Sequence, residues 1–207
     1  LIGLVDLGIG NLFSLFNLFT QITKKKIIII DKANNLIEDK NEISHLVIPG
    51  VGSYPAAMDS IKSSHWKESI IEFRETNKPI LGICLGMQLF FDQSEENEVI
   101  TKGLGLLKGN VVKIKVKDGY KLPHVGWNDL KIVKKDPILE GLNLDIDFYF
   151  LHSYKCAPIS DDIIVCKTDY NEMFPSIIRQ NNIVGFQFHP EKSSNIGQKL
   201  IENFLNI

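Results

Sequence analysis

Cys84 lies between two glycines in Gly82-Ile83-Cys84-Leu85-Gly86-Met87-Gln88, inside the longer apolar stretch from Lys78 to Phe91. Ile80, Leu81 and Ile83 form a short β-branched apolar run of the kind a strand buried on both faces requires, and Leu85 to Phe91 reads as the start of an apolar helix. Glycines at 82 and 86 let the backbone turn sharply and hold Cys84 in a strained conformation, which is the layout of a nucleophile elbow with sulfur replacing oxygen. A helix starting just after Cys84 directs free N–H groups and a positive dipole end at the sulfur, which favours its ionised form. The same N–H groups can hold an oxyanion. A cysteine in an apolar run is also a common core residue, so a chemical partner must decide between the readings. Val184-Gly185-Phe186-Gln187-Phe188-His189-Pro190-Glu191 supplies one. His189 can take the thiol proton and Glu191 can orient the imidazole, giving a Cys/His/carboxylate set spread along the chain.

The elements that must position these residues alternate through the first half of the chain. Ile2 to Val5 reads as a strand, Asp6 to Asn11 as a glycine turn, and Leu12 to Ile22 as a helix. The turn lacks the third glycine of a dinucleotide loop, because Phe13 occupies that place, so a tight strand-to-helix turn is sufficient. Ile27 to Ile30 suits an inner strand, and a polar connection follows. His45 to Ile48 is a strand ending in Pro49-Gly50-Val51-Gly52. Pro55 to Lys62 and His65 to Thr76 read as helices. Strand alternating with helix predicts a parallel sheet covered on both faces, with Cys84 at the carboxyl end of a strand. After Phe91 the pattern changes to strands at Gly109 to Val116, Leu130 to Val133, Phe148 to Leu151, Ile163 to Cys166, Ser176 to Arg179 and Ile183 to Phe188. These are expected to extend the sheet, mostly antiparallel, before a last helix over Ser194 to Leu205.

The composition fits one domain over residues 1–207, since 207 residues that are 44% hydrophobic and 23% charged can bury a substantial core. A net charge of −2 with interspersed signs gives no nucleic-acid footprint, and Lys24-Lys25-Lys26 reads as a solvated helix end. No apolar run approaches the roughly 18 residues of a membrane span, and Leu1 to Val5 leads into a glycine turn rather than a secretory core. Three cysteines make no disulfide framework, and a nucleophilic thiol needs a reducing compartment, so a cytoplasmic location is expected. Cys156 and Cys166 have no metal-site spacing and read as packing residues, as do His124 and His152 beside aromatic or apolar neighbours.

The elbow together with Phe188-His189-Pro190-Glu191 resembles the class I, triad-type glutamine amidotransferases. Within that class, Pro49 to Gly52, Pro123-His124-Val125-Gly126-Trp127-Asn128, Tyr149 to Tyr154 and Glu191-Lys192-Ser193 are similar to the family of glutaminase subunits of imidazole glycerol phosphate synthase. The motifs run in order along essentially the whole chain. The resemblance implies a flavodoxin-like α/β fold, with a central mainly parallel sheet flanked by helices and added antiparallel strands, and no cofactor or metal. It implies Cys84, His189 and Glu191 as catalytic residues and the N–H groups of Val51 and Leu85 as the oxyanion hole. It places Gly50, Gly52, Gln88, Ser153 and Tyr154 around glutamine, and Asn11, Trp127, Tyr149 and Lys192 on the face that meets a barrel-shaped cyclase. Trp127 as a plain core aromatic stays open on its residue type alone. The implied reaction is glutamine hydrolysis, with ammonia delivered to the cyclase for imidazole glycerol phosphate and aminoimidazole carboxamide ribotide formation in histidine biosynthesis. A paralogous glutaminase feeding a cyclase-like partner in surface-sugar amidination shares these motifs. A cysteine peptidase is disfavoured by the amino-acid pocket, and a silent scaffold by the intact triad.

Overall fold

The computed structural model describes every residue except 9, 118 and 143–145, so Ile9 of the first glycine turn lies outside the described residues. Strand β1 (Ile2–Val5) leads to α1 (Leu12–Ile22), β2 (Ile27–Ile30), α2 (Ala33–Asp39), β3 (His45–Gly50), α3 (Tyr54–Ser63), α4 (Trp66–Arg74), β4 (Ile80–Cys84) and a single turn, α5 (Leu85–Gln88). The second half holds β5 (Gln93–Ser94), β6 (Thr101–Lys102), β7 (Gly109–Lys113), β8 (His124–Asn128), β9 (Lys131–Ile132), β10 (Phe148–His152) and β11 (Tyr154–Pro158). It continues through β12 (Ile164–Asp169), β13 (Met173–Gln180) and β14 (Ile183–Phe186) to α6 (Ser194–Leu205).

The main sheet has the order β2-β1-β3-β4-β14-β13-β12-β9. Its first five strands are parallel, in the flavodoxin-like arrangement, and the last three are antiparallel. Two buried clusters cover its faces. One contains Leu36, Ile48, Trp66, Phe73 and Phe90, and the other contains Leu15, Phe19, Leu81, Phe186, Leu200 and Phe204. Among the described residues no helix is long and apolar enough to cross a membrane.

Four expectations change. Of the later strands β14, β13, β12 and β9 join the main sheet, β14 in parallel and the other three antiparallel; β8 and β10 form a separate two-stranded ribbon, and β11-β7-β5-β6 a third sheet. The isoleucine run forms the open edge, because β2 pairs only with β1 and Ile29 is half exposed. β-Branching reports a pleated conformation and carries no information on rank within the sheet. The polar connection contains α2, which buries Ala33 and Leu36 and packs against α4. The helix after Cys84 stops at Gln88, so any macrodipole there is that of one turn.

Candidate active site

Cys84 ends β4 with φ 54° and ψ −110°, a strained conformation that L-residues avoid, at the strand-to-turn junction of a nucleophile elbow. The flanking glycines serve space rather than dihedral freedom. A Cβ on Gly86 would collide with the Ile48 carbonyl oxygen, and one on Gly82 would come within 2.6 Å of the Met87 nitrogen and the Phe90 ring. Strand β3 packs this closely because it pairs with β4 in parallel register, Gly50 opposite Cys84. Val51 and Leu85, the next residue in each chain segment, therefore sit side by side.

His189 reaches Cys84 from beyond the end of the neighbouring strand β14. Phe188 anchors it by packing against Phe148, Phe150 and Phe186. The backbone then leaves the sheet: the His189 N–H donates to the Tyr149 carbonyl at 2.9 Å, and Pro190 to Lys192 form a 3₁₀ turn. Ser193 closes this turn onto β10, its hydroxyl donating to the His189 carbonyl at 2.7 Å and accepting from the Tyr149 N–H at 3.1 Å. The His189 Nδ1 lies 2.9 Å from Glu191 Oε1, and both side chains are buried. Among the described residues the Nε2 has no hydrogen bond of good geometry. Cys84 is nevertheless close enough to govern the ring's charge. Burial works against the imidazolium, but the Cys84 sulfur and the Glu191 carboxylate outweigh it and raise the His189 pKa above the usual histidine value.

A cavity of about 200 Å³ opens over the sulfur, larger than the roughly 150 Å³ site that accepts a benzene. Val51, Gly52, Cys84, Leu85, Gln88, Ser153 and Tyr154 are among its walls. Gly50 is not; it stands behind the wall, where a Cβ would press on Leu85 and Gly86 at 3.0 Å. Sequence reasoning missed four further lining residues: Glu96, Pro123, Leu151 and His152. Glu96 lies in a short irregular segment without periodicity, and its carboxylate is anchored by the Tyr54 N–H at 3.0 Å. His152 is held neutral by burial, which pulls its pKa down to about 3, and its Nδ1 meets the Tyr154 carbonyl at 2.8 Å. His124, at 3.1 Å from His152, is lowered for the same reason. Neither can serve as a base for Cys84 in the way His189 can. A strained thiol, an imidazole–carboxylate pair and an adjoining polar cavity together fit acyl transfer through a thioester.

A family model for glutamine amidotransferase class-I matches residues 4–207. The chain belongs to the class-I glutamine amidotransferase family. The amidotransferase is 44% identical over 209 residues to "Imidazole glycerol phosphate synthase subunit HisH" of Methanocaldococcus jannaschii, covering all of both chains. It is 41% identical to the protein of the same description from Aquifex aeolicus, across 97% of this chain and 93% of that one. A crystal structure of a glutamine amidotransferase shares the fold with a TM-score of 0.73 at 16% identity, covering 99% and 97% of the two chains.

The β8–β10 ribbon, which contributes Leu151 and His152 to the cavity, also carries exposed apolar side chains. The register pairs Val125 with Leu151 and Trp127 with Tyr149. Val125 and Trp127 are 55% and 51% exposed, whereas His124, Phe148, Phe150 and His152 on the same strands are buried. Trp127 is therefore not a core aromatic. Its ring stands edge-on to Tyr149 at 5.6 Å, and the Lys192 ammonium lies 5.1 Å from the centroid of the Tyr149 ring. Asn11 caps α1, accepting from the Ser14 N–H at 3.3 Å.

Proposed function

We propose that this chain, as one amidotransferase unit over residues 1–207, hydrolyses glutamine to glutamate and ammonia. It passes the ammonia to a barrel-shaped cyclase, which makes imidazole glycerol phosphate and aminoimidazole carboxamide ribotide in cytoplasmic histidine biosynthesis. The observation that carries the reading is Cys84, strained at its elbow, with the His189–Glu191 pair on one side and the cavity on the other. The whole-length identity to HisH subunits supports the pathway.

The geometry supports the following chemistry. Glutamine's side-chain amide enters the cavity beside the sulfur, and the Cys84 thiolate attacks the amide carbon. The N–H groups of Val51 and Leu85 hold the oxyanion of the tetrahedral intermediate. Imidazolium His189 protonates the departing nitrogen, the C–N bond breaks, and a glutamyl thioester remains. His189 then takes a proton from water as it attacks the thioester, and glutamate leaves as the sulfur recovers its electron pair. Glu191 keeps the ring oriented and balances its charge. Gly52, Gln88, Ser153 and Tyr154 surround the amino-acid end, Gly50 packs behind them, and the Glu96 carboxylate faces the α-ammonium. Near neutral pH free ammonia becomes ammonium and loses its nucleophilicity, so the site needs a sealed exit. The face holding Trp127 and Tyr149, with Asn11 and Lys192, supplies the docking surface.

The test is glutamine turnover with and without a purified cyclase. Cys84→Ala is expected to abolish it while leaving the complex intact, and surviving turnover would remove Cys84 from the nucleophile role. Rescue of a histidine auxotroph by the wild-type chain checks the pathway.

A further inference from the structure

A second carboxamide touches the sulfur. Gln187, between Phe186 and Phe188, is fully buried, and its Nε2 lies 3.8 Å from Cys84 Sγ, within the range of an N–H···S bond. Its Oε1 accepts from Gln88 Nε2 at 3.1 Å, and the same Gln88 nitrogen donates to the Tyr154 carbonyl at 2.9 Å. This chain of contacts has only one sense. A backbone carbonyl only accepts, so Gln88 must turn its NH₂ toward Tyr154. The second proton of that NH₂ requires an oxygen on Gln187, and the Gln187 NH₂ is thereby left facing the sulfur. Besides His189, the Leu151 carbonyl lies at 3.7 Å from Sγ, an acceptor that suits the neutral thiol and repels the thiolate.

We propose that Gln187 is a further catalytic residue of this amidotransferase, a buried N–H donor that holds the ionised Cys84 sulfur in its attacking position, with its orientation locked by Gln88. The proposal rests on Cys84 as the nucleophile. His189 supplies the proton traffic, and Gln187 supplies a fixed dipole to the sulfur whenever charge resides there, before attack and again as the thioester C–S bond breaks. Because Gln88 also lines the cavity, the residue that contacts substrate and the residue that contacts the sulfur share one hydrogen bond.

The experiment measures the rate at which iodoacetamide alkylates Cys84 in the full chain at neutral pH, read by mass spectrometry, with buried Cys156 and Cys166 as internal references. Losing a hydrogen bond to a charged acceptor lowers the thiolate population about tenfold, and the less solvated sulfur regains about threefold in intrinsic reactivity. Gln187→Leu is therefore expected to slow alkylation about threefold and to reduce kcat while changing KM little. Gln187→Glu keeps the volume and an oxygen for Gln88 but sets a carboxylate against the sulfur, and is expected to be slower still. A space-filling role predicts wild-type alkylation in Gln187→Glu, and that result in the folded variant overturns the proposal. Should neither variant fold, the wild-type and Cys84→Ala proteins decide the matter: the ¹⁵N side-chain amide resonances of Gln187 must move when the sulfur is removed, and unchanged resonances overturn it. Loss of glutamine turnover in Cys84→Ala tests the nucleophile separately, because the alkylation rate does not depend on turnover.

Discussion

Glu191 lies one residue beyond Pro190, yet its Oε1 meets His189 Nδ1 at 2.9 Å, because the 3₁₀ turn folds the carboxylate back over the ring. Among the described residues the second carboxylate oxygen has no hydrogen-bond partner, so charge and orientation both pass through the Oε1 contact. Glu191→Gln keeps the size of the group and removes the charge. Turnover is expected to fall about 100-fold, the scale of one general acid–base contribution, and less than in Cys84→Ala. The sign of the pH effect follows from the raised His189 pKa. Glu191 is among the groups that hold the imidazolium, so its loss moves the alkaline limb of kcat/KM to lower pH. A pH–rate profile checks this, and an unmoved alkaline limb would count against the ion pair.

Ser193 joins the imidazole-bearing turn to the ribbon that carries Tyr149. Ser193→Ala leaves the His189 carbonyl without the hydroxyl and the Tyr149 N–H without its acceptor. The expected cost is about 1–3 kcal/mol by urea unfolding, with kcat reduced more than KM as His189 loses its fixed position. Loss of stability without loss of kcat would limit Ser193 to a structural tie.

The elbow glycines were legible from sequence, with the strain on Cys84 and room required beside it: the positive φ falls on Cys84, and Gly86 admits the Ile48 carbonyl. Gly86→Ala is expected to destabilise by about 1–3 kcal/mol or more, because backbone on both sides resists displacement. Thermal unfolding measures it, and a wild-type Tm would show that β3 and β4 separate easily.

Sequence revealed the parallel half most fully, since the periodicity of α1 and the apolar runs of β1 and β4 are local properties. Juxtapositions set by distant strands were harder to read. Nothing near Glu96 announces that its carboxylate reaches the cavity, and Leu151 enters it only because β10 pairs with β8 as a separate ribbon. Gln187 was visible as one position of an alternating strand, but its contact with Cys84 depends on β14 lying next to β4. The short helix α2 buries too few residues to leave a helical pattern.

Trp127 has half its surface exposed beside Tyr149 and Lys192, a grouping of aromatic and cationic side chains that suits a binding hot spot. Titrating the cyclase against a fixed amount of the chain should show Trp127→Ala needing about tenfold more partner for half-maximal stimulation, equivalent to about 1.4 kcal/mol. Lys192→Met removes the cation over Tyr149 and is expected to shift the curve by a smaller factor. Two unchanged titrations would move the docking face elsewhere on the surface.

His45 gives the fold a pH dependence remote from the catalytic cysteine. Its ring packs edge-on to Phe204 at 5.3 Å, its buried Nε2 has no partner of good geometry among the described residues, and burial, aided by Lys25, pulls its pKa down to about 4. In the unfolded chain a histidine titrates near 6.5. A depressed folded value means that the contribution to stability is complete above about 6.5 and is lost as pH falls through the folded pKa, because the unfolded chain takes up the proton first. His124 and His152 are depressed as well, so His45 supplies only part of the acid limb. His45→Leu keeps an apolar contact for Phe204 and removes the titrating ring. Calorimetric Tm values between pH 7 and pH 4 are expected to fall less steeply in the variant than in the wild type, while parallel curves would show that His45 accepts its proton without cost in the folded state.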